Sequence, residues 1–259
     1  MKKYFFLGLF FLALLTPSFA SYITLEPTVS LEAVRNNLRL ELTVINEGDE
    51  SAYNVQAELC APGRTILARK QAELPTGSVY KINETIPVNL GQPGIYPLIL
   101  VMHYTDANLY PFSALTAKTF TYKKELVSPL FGVIQSLVIA KEGLQKFSVK
   151  NSSEQGLDST ITLFVPSELT VFNKTFRVVL PPRSEKSVEF KLKNFSALPG
   201  STYQVFAVTT FESGGIRGVN IAPGTVKVIE SNILVQYKYY FIALIVLLFL
   251  LFIVLQLKK

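Results

Sequence analysis

An internal duplication limits this chain's architecture more than any other feature of its sequence. Asn46-Glu47-Gly48-Asp49, following a strand-like run, corresponds to Asn151-Ser152-Ser153-Glu154, following another. Leu74-Pro75 matches Leu180-Pro181, Pro93-Gly94 with Tyr96 matches Pro199-Gly200 with Tyr203, and Phe120-Thr121-Tyr122 matches Val226-Lys227-Val228. The four offsets are 105, 106, 106 and 106 residues. A period of about 100 residues means a repeated domain, because solenoid units recur every 20–50 residues or so.

Within each copy, hydrophobicity alternates with the period of a half-buried strand. Leu38-Arg39-Leu40-Glu41-Leu42-Thr43-Val44, Thr160-Ile161-Thr162-Leu163-Phe164-Val165 and Ser187-Val188-Glu189-Phe190-Lys191-Leu192 all follow it. No segment between the termini has a helical period. Valine, isoleucine, threonine and aromatic residues fill the runs, and Gly, Pro, Asn and Ser separate them. This pattern predicts an all-β chain of two tandem Ig-like, Greek-key β-sandwiches. Pro93-Gly94 and Pro199-Gly200 suit turns in which proline fixes φ and the following glycine takes a positive φ, each opening a long core strand, at Ile95–Tyr104 and Thr202–Phe211. The boundary between the copies falls near Lys123-Lys124-Glu125, giving domains at 21–124 and 125–230 with a short connection around Ser128-Pro129.

The two ends carry a different signal. Lys2 and Lys3, the apolar stretch Tyr4–Leu15 and the ending Thr16-Pro17-Ser18-Phe19-Ala20 form the three parts of a secretory signal peptide over 1–20, with cleavage expected before Ser21. Tyr239 to Leu255 is an unbroken run of 17 apolar or aromatic residues followed by Gln256, Leu257, Lys258 and Lys259. A linker over 231–238, a transmembrane helix over 239–257 and a cytoplasmic tail of 258–259 are the expected order. The expected location is the cell membrane, with a single pass, both domains outside and the lysine tail inside.

The net charge of +6 is concentrated at those ends. Without Lys2, Lys3, Lys238, Lys258 and Lys259, 20 basic residues face 19 acidic ones, so nucleic acid is not an expected partner. Cys60 is the single cysteine, which rules out an intramolecular disulfide and leaves stability to the two cores; it reads as an inert, partly buried thiol.

The run Leu42-Thr43-Val44-Ile45-Asn46-Glu47-Gly48-Asp49-Glu50-Ser51-Ala52-Tyr53-Asn54-Val55 resembles the start of the CARDB and NEW3 group of immunoglobulin-like domains, through Asn46, Gly48, Ala52 and Val55. Leu74-Pro75-x-Gly77-Ser78 and Pro93-Gly94-x-Tyr96 are similar to the rest of that pattern. The second copy has Ser152-Ser153 where the pattern has glycine, and it is tied to the family by the repeat. The resemblance implies adhesion, spacer or glycan-associated modules of prokaryotic, including archaeal, surface proteins, and it transfers no binding residues.

Chemistry-bearing residues are sparse. His103 is the one histidine, with no second histidine or cysteine pair to make a zinc site, and it reads as a structural histidine. Glu47, Asp49 and Glu50 lack the alternating spacing of a calcium loop. No catalytic residue, metal site or cofactor is expected, and the chain reads as a non-enzyme. The candidate recognition loop is the hairpin containing Asp106, Asn108, Leu109, Tyr110 and Phe112, whose aromatic residues either grip a partner or fold back to cap the core. Asn83, Asn151, Asn173 and Asn194 stand in Asn-x-Ser/Thr triplets and are candidate glycan acceptors. Asn46, Gly48, Pro93, Gly94, Pro199 and Gly200 are expected to be structural turn residues.

The expected function is a non-catalytic membrane-anchored protein presenting its domains for adhesion, for glycan or protein binding, or as a structural subunit of an envelope complex. The order of signal, sandwich, single span and lysine-rich tail is also similar to that of the translocon-associated β subunit, which implies an accessory role in protein translocation or secretion.

Overall fold

A computed structural model describes residues 22–230 and 237–257 of the chain. The expected signal peptide, most of the linker and the lysine tail lie outside the described residues. Between 22 and 230 the structure contains strands and no helix.

The first sandwich comprises β1 (Leu25–Val34), β2 (Asn37–Asn46), β3 (Ala52–Ala61), β4 (Arg64–Leu67), β5 (Gln71–Leu74), β6 (Val79–Pro87), β7 (Gly94–Thr105) and β8 (Pro111–Tyr122). One sheet has the order β1-β2-β6; in the other, β7 lies between β8 and β3, with β4 and β5 along the far edge of β3. The alternation seen in sequence sets the faces. On β2, Leu38, Leu40, Leu42 and Val44 are buried, while Arg39, Glu41 and Ile45 point outward. Opposite them, Ala52, Val55, Ala57 and Leu59 of β3 complete the core with Leu98, Leu100 and Met102 of β7. Between Tyr53 and Gln56 the ladder to β7 shifts register, and Asn54 there has φ 55°. This bulge turns Val55 into the core with Ala52.

The second sandwich repeats the plan with β9 (Leu130–Ile134), β10 (Leu137–Ile139), β11 (Glu142–Asn151), β12 (Leu157–Phe164), β13 (Leu169–Val171), β14 (Thr175–Leu180), β15 (Glu185–Asn194), β16 (Thr202–Ser213) and β17 (Ile216–Val228). Its sheets have the orders β13-β15-β11-β9 and β14-β12-β16-β17, with β10 added to β17 in parallel. The copies differ at their first strands: β1 stays beside β2 over all ten of its residues, whereas the chain changes sheets between β9 and β10. The core of this copy gathers Phe147, Phe190, Ile161, Leu163, Val205 and Val226 around an edge-on contact of Phe176 with Phe190, 5.1 Å between centroids.

The two copies are not separate beads. A third apolar cluster, Ile99 of β7 with Val208 of β16 and Val219 of β17, joins the outer face of one sheet to that of the other, and Cys60, Ala117, Phe164 and Ile221 pack around it. At one corner the sheets touch through a single parallel bridge, Arg217 beside Gly94, in which the Arg217 amide donates to the Pro93 carbonyl at 2.9 Å. Gly94 is required there twice over: its φ is +142°, and a Cβ would lie 2.1 Å from the Arg217 carbonyl oxygen. The two long strands extend slightly beyond their expected limits, to Gly94–Thr105 and Thr202–Ser213.

Residues Lys238–Leu257 form α1, a helix of 20 residues. Phe252 and residues 254–257 fall outside the described side chains, and among the described residues no helix is long and apolar enough to cross a membrane. Every side chain that is described on α1 is exposed.

Candidate functional site

The duplicated landmark asparagines build the turn at one end of each sandwich. Asn46 is fully buried; its Nδ2 donates to the carbonyls of Glu50 at 2.8 Å and Leu74 at 3.0 Å, and its Oδ1 accepts from the Gly48 amide at 3.1 Å. Asn151 repeats this with the carbonyls of Gln155 at 2.8 Å and Leu180 at 3.1 Å and the amide of Ser153 at 2.9 Å. Each side chain satisfies backbone groups of two connections that would otherwise be buried without partners. Gly48 permits a close approach of the N-terminal segment, since a Cβ would meet the Tyr22 carbonyl oxygen at 2.4 Å. At the Pro-Gly landmark of the second copy, Gly200 follows Pro199 with φ +92° and open space around it.

Asn151, one of the candidate glycan acceptors, is wholly buried in the folded chain, its amide nitrogen donating to backbone carbonyls. Asn83 and Asn173 are exposed. Asn194 is half-buried, donating to the Ala197 carbonyl at 3.0 Å and accepting from the Ala197 amide at 2.8 Å.

The candidate recognition hairpin is shaped by Asp106, whose Oδ1 accepts from the amides of Asn108 at 2.9 Å and Tyr110 at 2.8 Å. Leu109 sits at the tip with φ 63° and is 69% exposed, beside an exposed Asn108. The aromatic residues turn toward the second sandwich. Tyr110 donates its hydroxyl hydrogen to the Ser196 carbonyl, and its ring lies 5.2 Å from that of Phe112, which in turn stacks on Tyr104 at 5.6 Å.

Beside this ladder lies the residue that fastens the two sandwiches. Glu168, from the connection between β12 and β13, is only 2% exposed. One carboxylate oxygen accepts from the Ser113 amide and the other from the Ser113 hydroxyl, both at 2.6 Å, while the Ser113 hydroxyl oxygen accepts from the Ser167 amide at 2.8 Å. Ser113 lies on β8, whose outer edge has no strand partner, so the carboxylate caps a free strand edge and docks the second sandwich on the first. Burial, reinforced by the Glu168 charge, pushes the Tyr104 hydroxyl well above the ordinary tyrosine range and raises that of Tyr203 as well. The Tyr203 hydroxyl lies near the backbone of Leu198 and near Ser201 without completing a well-formed hydrogen bond to either.

Between the sandwiches at this end opens a cleft of about 880 Å³. Its walls carry the carboxylates of Glu26, Glu50, Asp106 and Glu168 and the rings of Tyr22, Tyr104, Phe112 and Tyr203, and no Lys, Arg or His contributes to them. Of the hairpin residues, Asp106, Asn108 and Phe112 line the cleft, while Leu109 and Tyr110 do not. An acidic, aromatic-walled cleft is suited to holding an extended or polyhydroxylated partner by stacking and hydrogen bonding.

His103 lies away from the cleft on β7, its Nε2 2.8 Å from a carboxylate oxygen of Glu58 on β3. Cys60 donates to the other Glu58 oxygen at 3.7 Å, and burial raises its thiol above the usual range, which favours the unreactive protonated form. Among the described residues, no group of three or more His, Cys, Asp or Glu is arranged to hold a metal ion.

No family model matches the chain, and no curated protein matches it. Among solved structures it is similar to a mutant Salmonella alpha-2-macroglobulin, at 10% identity and a TM-score of 0.35, over 78% of this chain and 16% of that one. It is similar to the native Escherichia coli alpha-2-macroglobulin at 10% identity and a TM-score of 0.32, over 79% and 17%. Against the elastase-activated Escherichia coli form the values are 10% and 0.32, over 82% and 22%. This chain therefore spans about a fifth or less of the chains it matches.

Proposed function

We propose that this protein is a non-catalytic, single-pass membrane protein whose two Ig-like sandwiches stand outside the cell membrane and make contact with a protein or glycan as one unit. The observation that carries the reading is the unbroken apolar run Tyr239 to Leu255 of the sequence, on which every described side chain is exposed, with Leu247 at 62% and Leu250 at 54%. In water such a surface would be costly at about 25 cal/mol per Å² of apolar area, and lipid removes that cost. The N-terminal leader pattern supports export, and the CARDB and NEW3 resemblance supports a surface role. The cleft between the sandwiches is the contact surface we assign to the partner. Its fixed shape follows from the Glu168–Ser113 clamp and the apolar cluster around Ile99 and Val208, which hold its walls at one spacing.

The test is made on the full chain in its native membranes. High-pH carbonate washing should leave the protein in the membrane pellet, and protease added outside intact cells should cut the sandwiches. Release by carbonate, or protection of both sandwiches in intact cells, refutes the topology. A photocrosslinker placed at Thr28, on the cleft wall contributed by the first sandwich, should capture a partner that the same label at Leu67 on the opposite sheet edge does not. Equal capture at both positions removes the cleft as the contact surface.

A further inference from the structure

We infer that the end of the second sandwich from which the chain continues to α1 rests on the bilayer surface, so that the ectodomain is seated rather than swinging on a tether. This rests on the membrane-anchored reading above.

Three segments converge at that end. The Ile229 amide donates to the Ile139 carbonyl at 2.8 Å, the Gly200 amide to the Val228 carbonyl at 2.8 Å, and the Asn194 amide to the Lys141 carbonyl at 2.7 Å. The surface they form is apolar where a solvent-facing loop would be polar: Phe195 is 77% exposed, Val138 58%, Ile229 44% and Leu198 39%. Lys141, Lys193 and Lys227 are exposed around it. Of the nearby carboxylates, Glu142 is paired with Lys191 at 3.1 Å, and Glu230 lies on the exit segment. At the opposite end of the same sandwich the loops 152–156, 181–184 and 212–215 contain no exposed large hydrophobic side chain, and the exposed Val127 and Phe131 there lie on the segment that enters from the first sandwich.

Apolar and aromatic side chains ringed by lysines match the chemistry of the headgroup region, where Phe and Leu enter the acyl boundary and lysines snorkel to the phosphates. The occupant is fixed by connectivity. Eight residues separate Ile229 from Lys238, the start of α1. At about 3.3–3.6 Å per residue such a segment reaches roughly 30 Å at full extension, which confines this end to the neighbourhood of the membrane and raises its effective concentration there. Leu109 joins the same surface, because Tyr110 beside it is bonded to Ser196. The first sandwich presents Glu47, Asp49 and Glu50 at this end, which anionic headgroups repel, so the second sandwich makes the contact.

The chain has no tryptophan, which gives a direct test. The full-length protein is reconstituted in phosphatidylcholine vesicles with and without brominated acyl chains, carrying F195W, L198W or, as a control on an exposed strand remote from this end, F131W. The account expects F195W and L198W emission to shift to shorter wavelength and to fall by more than half in brominated vesicles, with F131W unchanged. If the vesicles carry the protein after a carbonate wash and F195W and L198W behave like F131W, the seating is wrong while the anchor stands. If the protein does not float with the vesicles after that wash, the anchor reading fails and the seating with it.

Discussion

Replacing Glu168 by alanine should separate the two sandwiches. The carboxylate is 2% exposed and accepts two hydrogen bonds from Ser113, each at 2.6 Å. Bonds to a charged acceptor contribute about 1.5–3 kcal/mol each. Their loss is offset in part, because the substitution also removes a charge from a buried position. The Ser113 amide stays on a strand edge that pairs with no other strand among the described residues, at the wall of the cleft. The net expectation for E168A is a loss of about 3 kcal/mol. For a two-sandwich unit of this size that corresponds to a fall in Tm of about 6–12 °C. E168Q, which retains one acceptor oxygen, should lose about 1–2 kcal/mol. Calorimetry adds a readout that a merely local defect would not change. The unsubstituted pair of sandwiches should melt in one transition, and E168A in two, one per sandwich, with new proteolytic cleavage near Lys123–Pro129. A single transition within about 0.5 kcal/mol of the parent, the usual range of a neutral surface change, would refute the clamp.

Four further outcomes are expected. Gly94→Val should cost about 3 kcal/mol in a denaturant melt, because it combines a positive φ with a collision against the Arg217 backbone, whereas Gly200→Ala, with φ +92° and open space, should cost only about 1 kcal/mol; equal losses would remove the close-approach argument. Asn46→Ala should cost about 2–4 kcal/mol by leaving the Leu74 and Glu50 carbonyls and the Gly48 amide without their partner, measured by the same melts. Tyr80, Tyr104 and Tyr203 have hydroxyls raised by burial, so the folded state holds their protons more tightly than the unfolded chain does. Stability from these groups is therefore complete below pH of about 10, the unfolded tyrosine value, and is lost as pH rises beyond it; absorbance titration should show these tyrosines ionising only as the chain unfolds, and a smooth titration of Tyr80, Tyr104 and Tyr203 in the folded protein would contradict it. In a host that glycosylates Asn-x-Ser/Thr triplets, glycopeptide mass spectrometry should find Asn83 and Asn173 modified and Asn151 bare; glycan on Asn151 of folded protein would overturn its buried placement.

Much of the fold was legible because it rests on local rules. The alternation of Leu38, Leu40, Leu42 and Val44 fixes which face of β2 is buried, and Pro-Gly pairs mark where a strand can begin after a positive φ. Asn46 reads as a turn former, and its burial follows from the same turn; Asn151, read from its triplet as a glycan acceptor, takes the matching place in the second copy. The joint between the copies was not legible in that way. Glu168 and Ser113 are 55 residues apart, and neither stands in a motif; their meeting depends on how two sheets dock. A weaker signal did exist. In Leu98-Ile99-Leu100 and Val205-Phe206-Ala207-Val208 the alternation fails, and every residue is buried, as in a strand covered on both faces. One face of each run fills its own core, and Ile99 and Val208 meet across the joint. The hairpin aromatics show a related limit: composition identifies Tyr110 and Phe112 as contact-formers, but only the tertiary structure shows that Tyr110 reaches Ser196 of the same chain.

Two nitroxide labels on the full-length chain in vesicles, at Leu67 of the first sandwich and Val179 of the second with Cys60 replaced by serine, measure the central relation directly. Both sites are exposed, at 61% and 56%. A pair of sandwiches locked by Glu168 and the Ile99–Val208 contact predicts one narrow inter-label distance, broadened by E168A. A wide distribution in the unsubstituted protein would mean that the sandwiches move separately and that the cleft between them has no fixed shape.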